Sequence, residues 1–214
     1  NILWSVLFFD FDDARKETTM SIVLITGGCG FIGRHVAAEL IRAGHAVRLY
    51  DAMIAQVHGE AGAGPVADVP PEAAVIRGDM RDAPKLAEAL RGCDAVIHLA
   101  AKVSISGPES EYREINIGGP RHVVDALRAQ GGGHLVNVSS PSVAHLGTAI
   151  VGLDATPADP EHARGPYART KAAAELLAME ADGHDGLLVT SIRPHVVWGP
   201  GDTQLVGRIV DRAR

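Results

Sequence analysis

Short runs of aliphatic residues alternate along the chain with longer segments in which apolar residues recur with a helical period. The runs predict buried β-strands, because a strand covered on both faces is apolar throughout; they lie at residues 22–25, 46–50, 74–77, 95–99, 134–138 and 187–192. The periodic segments predict amphipathic helices, at residues 31–43, 83–91, 112–129 and 167–181. This alternation predicts an α/β fold with a doubly wound parallel sheet, since right-handed crossovers place helices on both faces.

A glycine-rich turn follows the first predicted strand directly. Gly28, Gly30 and Gly33 fit the pattern G-x-G-x-x-G, and Gly27 begins the related pattern in TGGCGFIG, residues 26–33. Glycine is needed where a tight turn brings the backbone close to a pyrophosphate, because a Cβ would intrude there. The helix that follows offers free N–H groups and the positive end of its dipole to phosphates. Strand, turn and helix together predict a dinucleotide site of the Rossmann type.

An acidic residue, Asp51, ends the second predicted strand. A carboxylate about 20 residues beyond such glycines can accept hydrogen bonds from a ribose 2′-hydroxyl, which strengthens the dinucleotide prediction.

Two stretches between the predicted elements are also informative. Residues 52–72 are rich in Ala, Gly and Pro, so we expect a surface loop there. Asp82 is expected to cap the helix at 83–91, with Pro84 in the first turn, where a missing N–H has no cost.

Tyr167 and Lys171 have the spacing Y-x-x-x-K on the predicted helix at 167–181. Positions four apart lie on one helical face, so the phenol and the ammonium can share a site. A nearby cation favours the phenolate form of a phenol whose ordinary pKa is about 10. Tyr167 can then take a proton from a substrate alcohol as hydride leaves, while Lys171 also hydrogen-bonds the nicotinamide ribose. Surface helices have this spacing by chance, so its meaning depends on the dinucleotide pattern before it.

A pair of serines, Ser139 and Ser140, follows the predicted strand at 134–138. Ligands of open parallel sheets bind outside the carboxyl ends of the strands, so we expect these hydroxyls to face the same crevice as the glycines. A hydroxyl there can hydrogen-bond the reacting oxygen of a substrate. The alternative is that the serines only stabilise a turn.

Composition excludes several classes of function. The net charge of −6 and the aromatic content of 4% argue against a nucleic-acid partner, which needs basic surface or stacking platforms. Cys29 and Cys93 are the two cysteines of the chain, and neither they nor the ten histidines show the spacing of metal ligands. We therefore expect no metal and a reducing, cytoplasmic compartment.

The first residues of the chain differ from the rest. Residues 1–11 are apolar but about half as long as a membrane-spanning helix, and they lack the basic start of a signal peptide. Met20 stands directly before the first strand, so we expect it to be the natural start and residues 1–19 to be a non-native extension. An interfacial anchor or an extra edge strand is the alternative. We expect no membrane span.

Taken together, the motifs resemble those of the extended short-chain dehydrogenase/reductase superfamily. The resemblance covers residues 20–202 and extends, within the superfamily, to its 3β-hydroxysteroid dehydrogenase-like and NAD-dependent epimerase/dehydratase branch. It rests on seven motifs in order: TGGCGFIG at 26–33, GDMRD at 78–82, IHLAA at 97–101, NIGG at 116–119, NVSSPSV at 137–143, YARTK at 167–171 and RPHVVWGPGD at 193–202. Thr170 and Trp198 depart mildly from it, standing where the family usually has Ser and Tyr.

This resemblance implies a set of site residues. Ser140, Tyr167 and Lys171 match the catalytic residues, and Asn116 matches a helix asparagine that supports the active site. Asp79 and Met80 would flank the adenine ring. The implied cofactor-binding residues are Gly27, Gly30, Phe31, Ile32, Gly33, Asp51, Asp79, Met80, Leu99, Ala100, Ala101, Tyr167, Lys171, Arg193, Pro194 and Val196. Asp51 favours NAD over NADP as the cofactor, because a carboxylate repels a 2′-phosphate.

The resemblance also implies a division of the chain. Residues 20–201 form the NAD-binding Rossmann domain, and residues 202–214 begin a smaller C-terminal substrate lobe that is mostly missing, since family members continue further. A homodimer packed through two helices is a further expectation from the family.

Three functions remain open. The first is an NAD-dependent oxidoreductase that acts on a secondary alcohol or ketone, sterol-like among the candidates, with Ser140, Tyr167 and Lys171 at its site. The second is a nucleotide-sugar epimerase or dehydratase, in which the same hydride step is internal. The third is a non-catalytic NAD-sensing module, disfavoured because both Tyr167 and Lys171 are present.

Overall fold

The computed structural model describes residues 20–58, 69–103, 107–144, 155–200 and 202. Its centre is a 6-stranded sheet in the order β3-β2-β1-β4-β5-β6. All adjacent strands pair in parallel. The strands are β1 (Ile22–Thr26), β2 (Ala46–Asp51), β3 (Ala74–Arg77), β4 (Ala95–His98), β5 (Gly133–Val138) and β6 (Leu187–Ile192). The prediction of a doubly wound Rossmann sheet is confirmed.

Helices connect the strands. The principal ones are α1 (Phe31–Arg42), α3 (Ala83–Leu90), α5 (Gly119–Ala129) and α6 (Gly165–Glu180). The other described elements are two short helices, α2 (Ala55–His58) and α4 (Glu109–Arg113), a π-helical segment at Glu114–Gly118 and a 3₁₀ turn at Pro141–Ala144. Helix α2 lies inside the stretch that the sequence predicted to be loop; residues 59–68 of that stretch are outside the described residues.

The predicted helix at 112–129 is divided in the structure. It begins earlier, with α4, passes through a π-helical segment at Glu114–Gly118, and becomes regular again in α5. Pro120 has no amide hydrogen, so the regular hydrogen-bond ladder cannot continue through that position. The wider π turn accommodates the interruption and contains Asn116, one of the expected site residues.

Two apolar layers cover the sheet. Alternate residues of the strands point to opposite faces, so Leu24 and Val96 pack with α3, α5 and α6, while Ile25 and Ile97 pack with α1. Because both faces are covered, the strands are apolar at consecutive positions, which is the pattern that predicted them.

The strand order reverses between β1 and β4. From β1 the chain proceeds outward through β2 to β3, and then returns to β4 on the other side of β1. The connections after these two strands diverge, which opens a crevice at the carboxyl edge of the sheet. The glycine turn follows β1 and Leu99 follows β4, so both border that crevice.

Asp82 caps α3 as predicted, since its carboxylate accepts a hydrogen bond from the Lys85 amide at 3.1 Å. We predict that Asp82→Ala lowers the free energy of unfolding by about 1 kcal/mol, because that amide loses its partner. Urea denaturation of both proteins measures the difference. Exposed Glu88→Ala is the control on the same helix, and an equal loss in both variants would contradict the capping role.

Candidate active site

The glycine turn leaves no room for side chains. Gly27 has φ +66, and a Cβ on it would lie 2.9 Å from the Ala100 amide nitrogen. A Cβ on Gly28 would lie 2.8 Å from the Ile25 carbonyl oxygen, and one on Gly33 2.5 Å from the Gly28 carbonyl oxygen. These glycines therefore hold β1, the turn and α1 in close contact, and they form a side-chain-free backbone turn, the glycine cradle, at the start of α1.

The N-terminus of α1 opens into this cradle. Gly30 precedes the helix in an extended conformation, and no side chain caps the helix there. The first amide groups of α1, beginning with Phe31 and Ile32, have no carbonyl partner within the helix. An anion at this end would gain these donors and the helix dipole. This is the arrangement that the glycine pattern predicted.

Asp51 lies beside the turn and is 8% exposed. Its carboxylate accepts hydrogen bonds from the amide nitrogens of Cys29 at 3.1 Å and Met53 at 2.8 Å. His58 Nε2 is 3.2 Å from the same carboxylate. The sequence pattern missed His58, which follows the strand by several residues and belongs to no motif. Any sugar hydroxyl that binds Asp51 has to share the carboxylate with it.

Cys29 is chemically quiet despite its place in the turn. Burial, and secondarily the Asp51 carboxylate, raise the pKa of the Cys29 thiol to about 12. A thiol with that pKa remains protonated and is a poor nucleophile.

The two residues expected to flank the adenine ring are placed differently from each other. Asp79 is paired with Arg81, which holds the pKa of the Asp79 carboxyl below its usual value. Met80 is buried and packs closely against Gly119, since a Cβ on Gly119 would lie 3.3 Å from the Met80 Cβ. Tyr50 donates a hydrogen bond to the Asp79 carbonyl oxygen at 2.9 Å, which fixes this segment against β2.

A small apolar cleft lies between α1 and the ends of β4, β5 and β6. Its volume is about 20 Å³, little more than the room that one water molecule needs. It brings together three expected cofactor residues, Ile32, Leu99 and Pro194, and its other lining residues are Val36, Ile97, Val138, Ile192 and Val197. The adjoining Ala100 amide donates to Thr26 Oγ1 at 3.3 Å, which ties the segment after β4 to the end of β1.

Lys171 is buried at the end of β5 and is 3% exposed. Its Nζ donates a hydrogen bond to the Val138 carbonyl oxygen at 2.7 Å. Burial lowers the pKa of Lys171 to about 8, although the Glu175 carboxylate acts in the opposite direction. Most of the Lys171 population is therefore still an ammonium at neutral pH.

Tyr167 and Ser140 meet as the resemblance implied. Burial raises the pKa of the Tyr167 phenol, and a hydrogen bond with the Ser140 side chain acts to lower it. Ser140 Oγ is also 2.9 Å from Ser142 Oγ, so a second hydroxyl orients it. The motif NVSSPSV contains Ser142 but gives it no role. Its contact with Ser140 depends on the 3₁₀ turn at Pro141–Ala144, which places the two hydroxyls together. A phenol, a hydroxyl and a buried ammonium can together move a proton to or from an alcohol oxygen.

Asn116 supports the site indirectly. Its Oδ1 accepts from the Lys102 amide at 2.7 Å, and its Nδ2 donates to the Lys102 carbonyl oxygen at 3.2 Å. Nδ2 also donates to Thr170 Oγ1 at 3.1 Å. Asn116 thus joins the segment after β4 to the helix that carries Tyr167 and Lys171. Thr170 uses the hydroxyl that it shares with the family's usual Ser.

Arg193 and Val196 both follow β6, but Arg193 is bound to neighbouring groups, whereas Val196 is exposed. The Arg193 guanidinium pairs with Glu175 of α6 and donates to the Thr156 carbonyl oxygen at 2.7 Å. This ion pair ties β6 to α6. Val196 is 73% exposed, and the described residues give it no cover.

The described residues contain neither a cluster of metal ligands nor a membrane-spanning helix. Within these ranges, no cluster of three or more His, Cys, Asp or Glu side chains could hold a metal ion. No described helix has the length and apolar character needed to cross a membrane.

The sequence of the chain matches one known protein family over most of its length. The model of the 3-beta hydroxysteroid dehydrogenase/isomerase family matches residues 24–214. The chain belongs to this family. The resemblance drawn from the seven motifs is therefore confirmed.

Two curated proteins are similar to this chain in sequence over part of their own length. A 2-alkyl-3-oxoalkanoate reductase of Stenotrophomonas maltophilia is 38% identical over 196 residues, which cover 90% of this chain and 56% of the relative. A 3 beta-hydroxysteroid dehydrogenase/Delta 5-->4-isomerase of Mycobacterium tuberculosis is 32% identical, over 93% of this chain and 53% of the relative. The chain thus spans about half the length of these relatives.

Solved structures of similar fold include sugar-nucleotide enzymes. The dTDP-glucose 4,6-dehydratase DesIV of Streptomyces venezuelae, with NAD and TYD bound, has a TM-score of 0.74 at 29% identity, over 90% of this chain and 62% of that one. The Thermus thermophilus UDP-glucose 4-epimerase, in complex with NAD, has a TM-score of 0.71 at 30% identity, over 89% of this chain and 60% of that one.

Several sequence expectations stay predictions. The extension at residues 1–19 lies outside the described residues, as do residues 203–214 of the expected substrate lobe. The homodimer and the cytoplasmic location also remain predictions.

Lys171 makes the stability of the fold depend on pH. Its pKa is about 8 in the folded chain, against an ordinary 10.5, so the unfolded chain holds more protons between these values. Stability contributed by this residue therefore rises as pH rises from about 8 to 10.5. We predict that Lys171→Met is more stable than the wild type at pH 7, by about 1–3 kcal/mol, because it removes a buried charge.

Thermal and urea denaturation at a series of pH values measure this difference. The advantage of Lys171→Met is expected to shrink above about pH 8, where the wild-type lysine becomes neutral. Lys85→Met, on the exposed side of α3, is the control and should show no such pH dependence. A variant that is less stable at pH 7 with an unchanged pH profile would contradict the prediction.

Proposed function

We propose that the protein is an NAD-dependent oxidoreductase that transfers hydride between a secondary alcohol or ketone and the cofactor. The observation that carries the proposal is the grouping of Tyr167, Ser140 and buried Lys171 at the carboxyl edge of the sheet, beside the glycine cradle. Acid–base groups and an uncapped, glycine-rich helix start at one edge fit this chemistry better than a binding function alone.

NAD fits the residues present. The cradle at Gly27 and Gly33 has no room for a Cβ, and the uncapped start of α1 directs amide groups into it. Asp51 would hold the adenosine ribose and disfavour a 2′-phosphate by charge repulsion. The two solved relatives described above are complexes with NAD, which supports the same choice.

Tyr167, Ser140 and Lys171 would each have a separate part in the transfer of the substrate proton. Tyr167 would receive the proton of the substrate hydroxyl, and Ser140 would hold the substrate oxygen in hydrogen-bond contact. The Lys171 ammonium would favour the phenolate of Tyr167, whose pKa burial alone raises. The chemistry that bound NAD would supply here is an acceptor for the hydride of the alcohol carbon, together with a positive nicotinamide charge that would favour the phenolate.

We infer that the substrate carries its alcohol or ketone on an apolar skeleton. The relatives named a 2-alkyl-3-oxoalkanoate reductase and a 3 beta-hydroxysteroid dehydrogenase support this class. A sterol-like alcohol is one member of it.

A second candidate is a nucleotide-sugar epimerase or dehydratase. The likeness to the dehydratase DesIV and to a UDP-glucose 4-epimerase favours it. An NAD-sensing module remains the non-catalytic alternative. Incubation with NAD and either an apolar secondary alcohol or a UDP-sugar separates the enzymes, because only net oxidation of an alcohol accumulates NADH.

We predict that Tyr167→Phe lowers kcat by about 10²–10⁴-fold, because the proton acceptor is lost. NAD affinity is expected to stay within about twofold, since glycine cradle and Asp51 are untouched. NADH absorbance measures turnover, and isothermal titration measures binding. Tyr112→Phe is the matched control, a buried tyrosine of α4, and should keep its activity. Equal activity of the wild type and Tyr167→Phe would contradict the oxidoreductase proposal.

We predict that Asp51→Asn narrows the preference for NAD over NADP by about tenfold or more, because a charge that repels the 2′-phosphate is removed. Titration of each cofactor into the variant measures the two affinities. His58→Gln is the control: it changes the imidazole beside Asp51 but keeps the carboxylate, so the preference should remain. An unchanged ratio in Asp51→Asn would contradict the role of the carboxylate.

A further inference from the structure

A row of four polar side chains crosses the sheet beneath the proposed site. Thr26 pairs with His98, His98 with Asn137, and Asn137 with Ser191, each on the neighbouring strand. Asn137 is two residues beyond Leu135, which packs against the layer of α5 and α6, so this row faces α6. The helix that carries Lys171 therefore covers it.

Hydrogen bonds join the ends of this row but not its middle. Thr26 Oγ1 is 2.7 Å from His98 Nδ1, and Asn137 Nδ2 donates to Ser191 Oγ at 2.9 Å. His98 Nε2 and Asn137 Oδ1 have no hydrogen-bond partner among the described residues, and both side chains are 1% exposed. Buried polar atoms without partners are rare, because each costs the free energy of its lost hydration.

The unpartnered atoms complement each other. Thr26 Oγ1 accepts the Ala100 amide, so its own proton is free to be donated to His98 Nδ1. The remaining proton of the neutral imidazole is then on Nε2, which makes Nε2 a donor. Asn137 Oδ1 is an acceptor. A donor and an acceptor therefore face the same interval between adjacent strands, which lie about 4.8 Å apart.

Two further groups lie at the same end of β5. Ser139 Oγ, two residues after Asn137 at the end of β5, is also buried without a partner. The Lys171 ammonium donates to the carbonyl oxygen of Val138, the residue between them. An ammonium has three N–H donors, and this bond uses one.

We propose that His98, Asn137 and Ser139 bind an internal water molecule against Lys171, and that this water positions the Lys171 ammonium. The water accepts hydrogen bonds from His98 Nε2 and Lys171 Nζ, and it donates to Asn137 Oδ1 and Ser139 Oγ. Buried waters typically make about three such bonds to groups that otherwise lack partners. His98, Asn137 and Ser139 are positioning residues, since they act on Lys171 and touch no substrate.

The other titratable and polar groups near Lys171 are either neutral or bound to other partners, so they do not take the place of the proposed water. Burial, and secondarily the Lys171 charge, lower the pKa of His98 to about 3, so the imidazole stays neutral. Glu175 lies one turn further along α6, but its carboxylate is paired with Arg193 of β6. Asn116 is engaged by Lys102 and Thr170. Tyr167 shares its hydrogen bond with Ser140.

The value of this water for catalysis rests on the proposed function, but its existence does not. Nuclear magnetic resonance of the whole chain tests it without turnover. Ring-¹⁵N labelling of the ten histidines, with His98→Gln for assignment, reports the tautomer of His98. We expect the Nε2–H form, with a nuclear Overhauser contact to a long-lived water and no titration between about pH 5 and 9. An Nδ1–H tautomer, or a resolved Nε2–H without a water contact, overturns the proposal.

Lys171 can be followed directly because the chain has four lysines, Lys16, Lys85, Lys102 and Lys171. With ¹³Cε-labelled lysine, Asn137→Leu is expected to lower the titration midpoint of Lys171 by about one pH unit, because the ammonium loses its polar neighbour. Thr190→Val is the matched control; it lies next to Ser191 on β6 but on the opposite face, so the midpoint should not move.

Ser139→Ala is a smaller change, in case Asn137→Leu does not fold, and it should lower the midpoint in the same direction. A midpoint that stays at its wild-type value in whichever of these two variants folds overturns the positioning role. Failure of the proposed function looks different: the Lys171 shift and the water contact are present, yet no alcohol is oxidised in the presence of NAD.

Discussion

All the described strands of this protein run in one direction, so all six end at one edge of the sheet. The glycine turn, Leu99, Ser140 and Pro194 follow four different strands, and Asp51 ends a fifth, yet the parallel pairing brings them all to that common edge. The reversal of strand order between β1 and β4 separates the connections there and opens the crevice. The site depends on this constraint more than on any single side chain.

The buried lysine is the second determinant. The fold encloses the Lys171 ammonium, stabilises it with the Val138 carbonyl, and lowers its pKa towards neutrality. Burial of a charge reduces stability, and a buried ionisable side chain with a shifted pKa at the edge of a crevice is typical of functional sites. The ion pair of Arg193 and Glu175 and the amide of Asn116 hold α6 against its neighbours, which keeps that lysine at the strand end.

The sequence predicted most of the architecture. Each predicted strand is present within about two residues, because aliphatic runs report burial on both faces. The predicted helix at 112–129 was less accurate, since periodicity does not reveal a π turn before Pro120. At the site, the spacing of Tyr167 and Lys171 paired these two residues, and the family resemblance selected Ser140 from the serine pair. Neither pointed to His58 or Ser142, whose partners depend on local loops.

The amino-acid sequence by itself determined the alternation of strands and helices, the glycine cradle and the family, because these depend on local pattern and on residue type. Only the tertiary structure decided which groups share a hydrogen bond. Thr26, His98, Asn137 and Ser191 are far apart in the chain. The motifs that contain the first three give no sign that their side chains meet, yet strand register aligns all four in one row. Register is a property of pairing between strands, and the pattern within a single strand does not contain it.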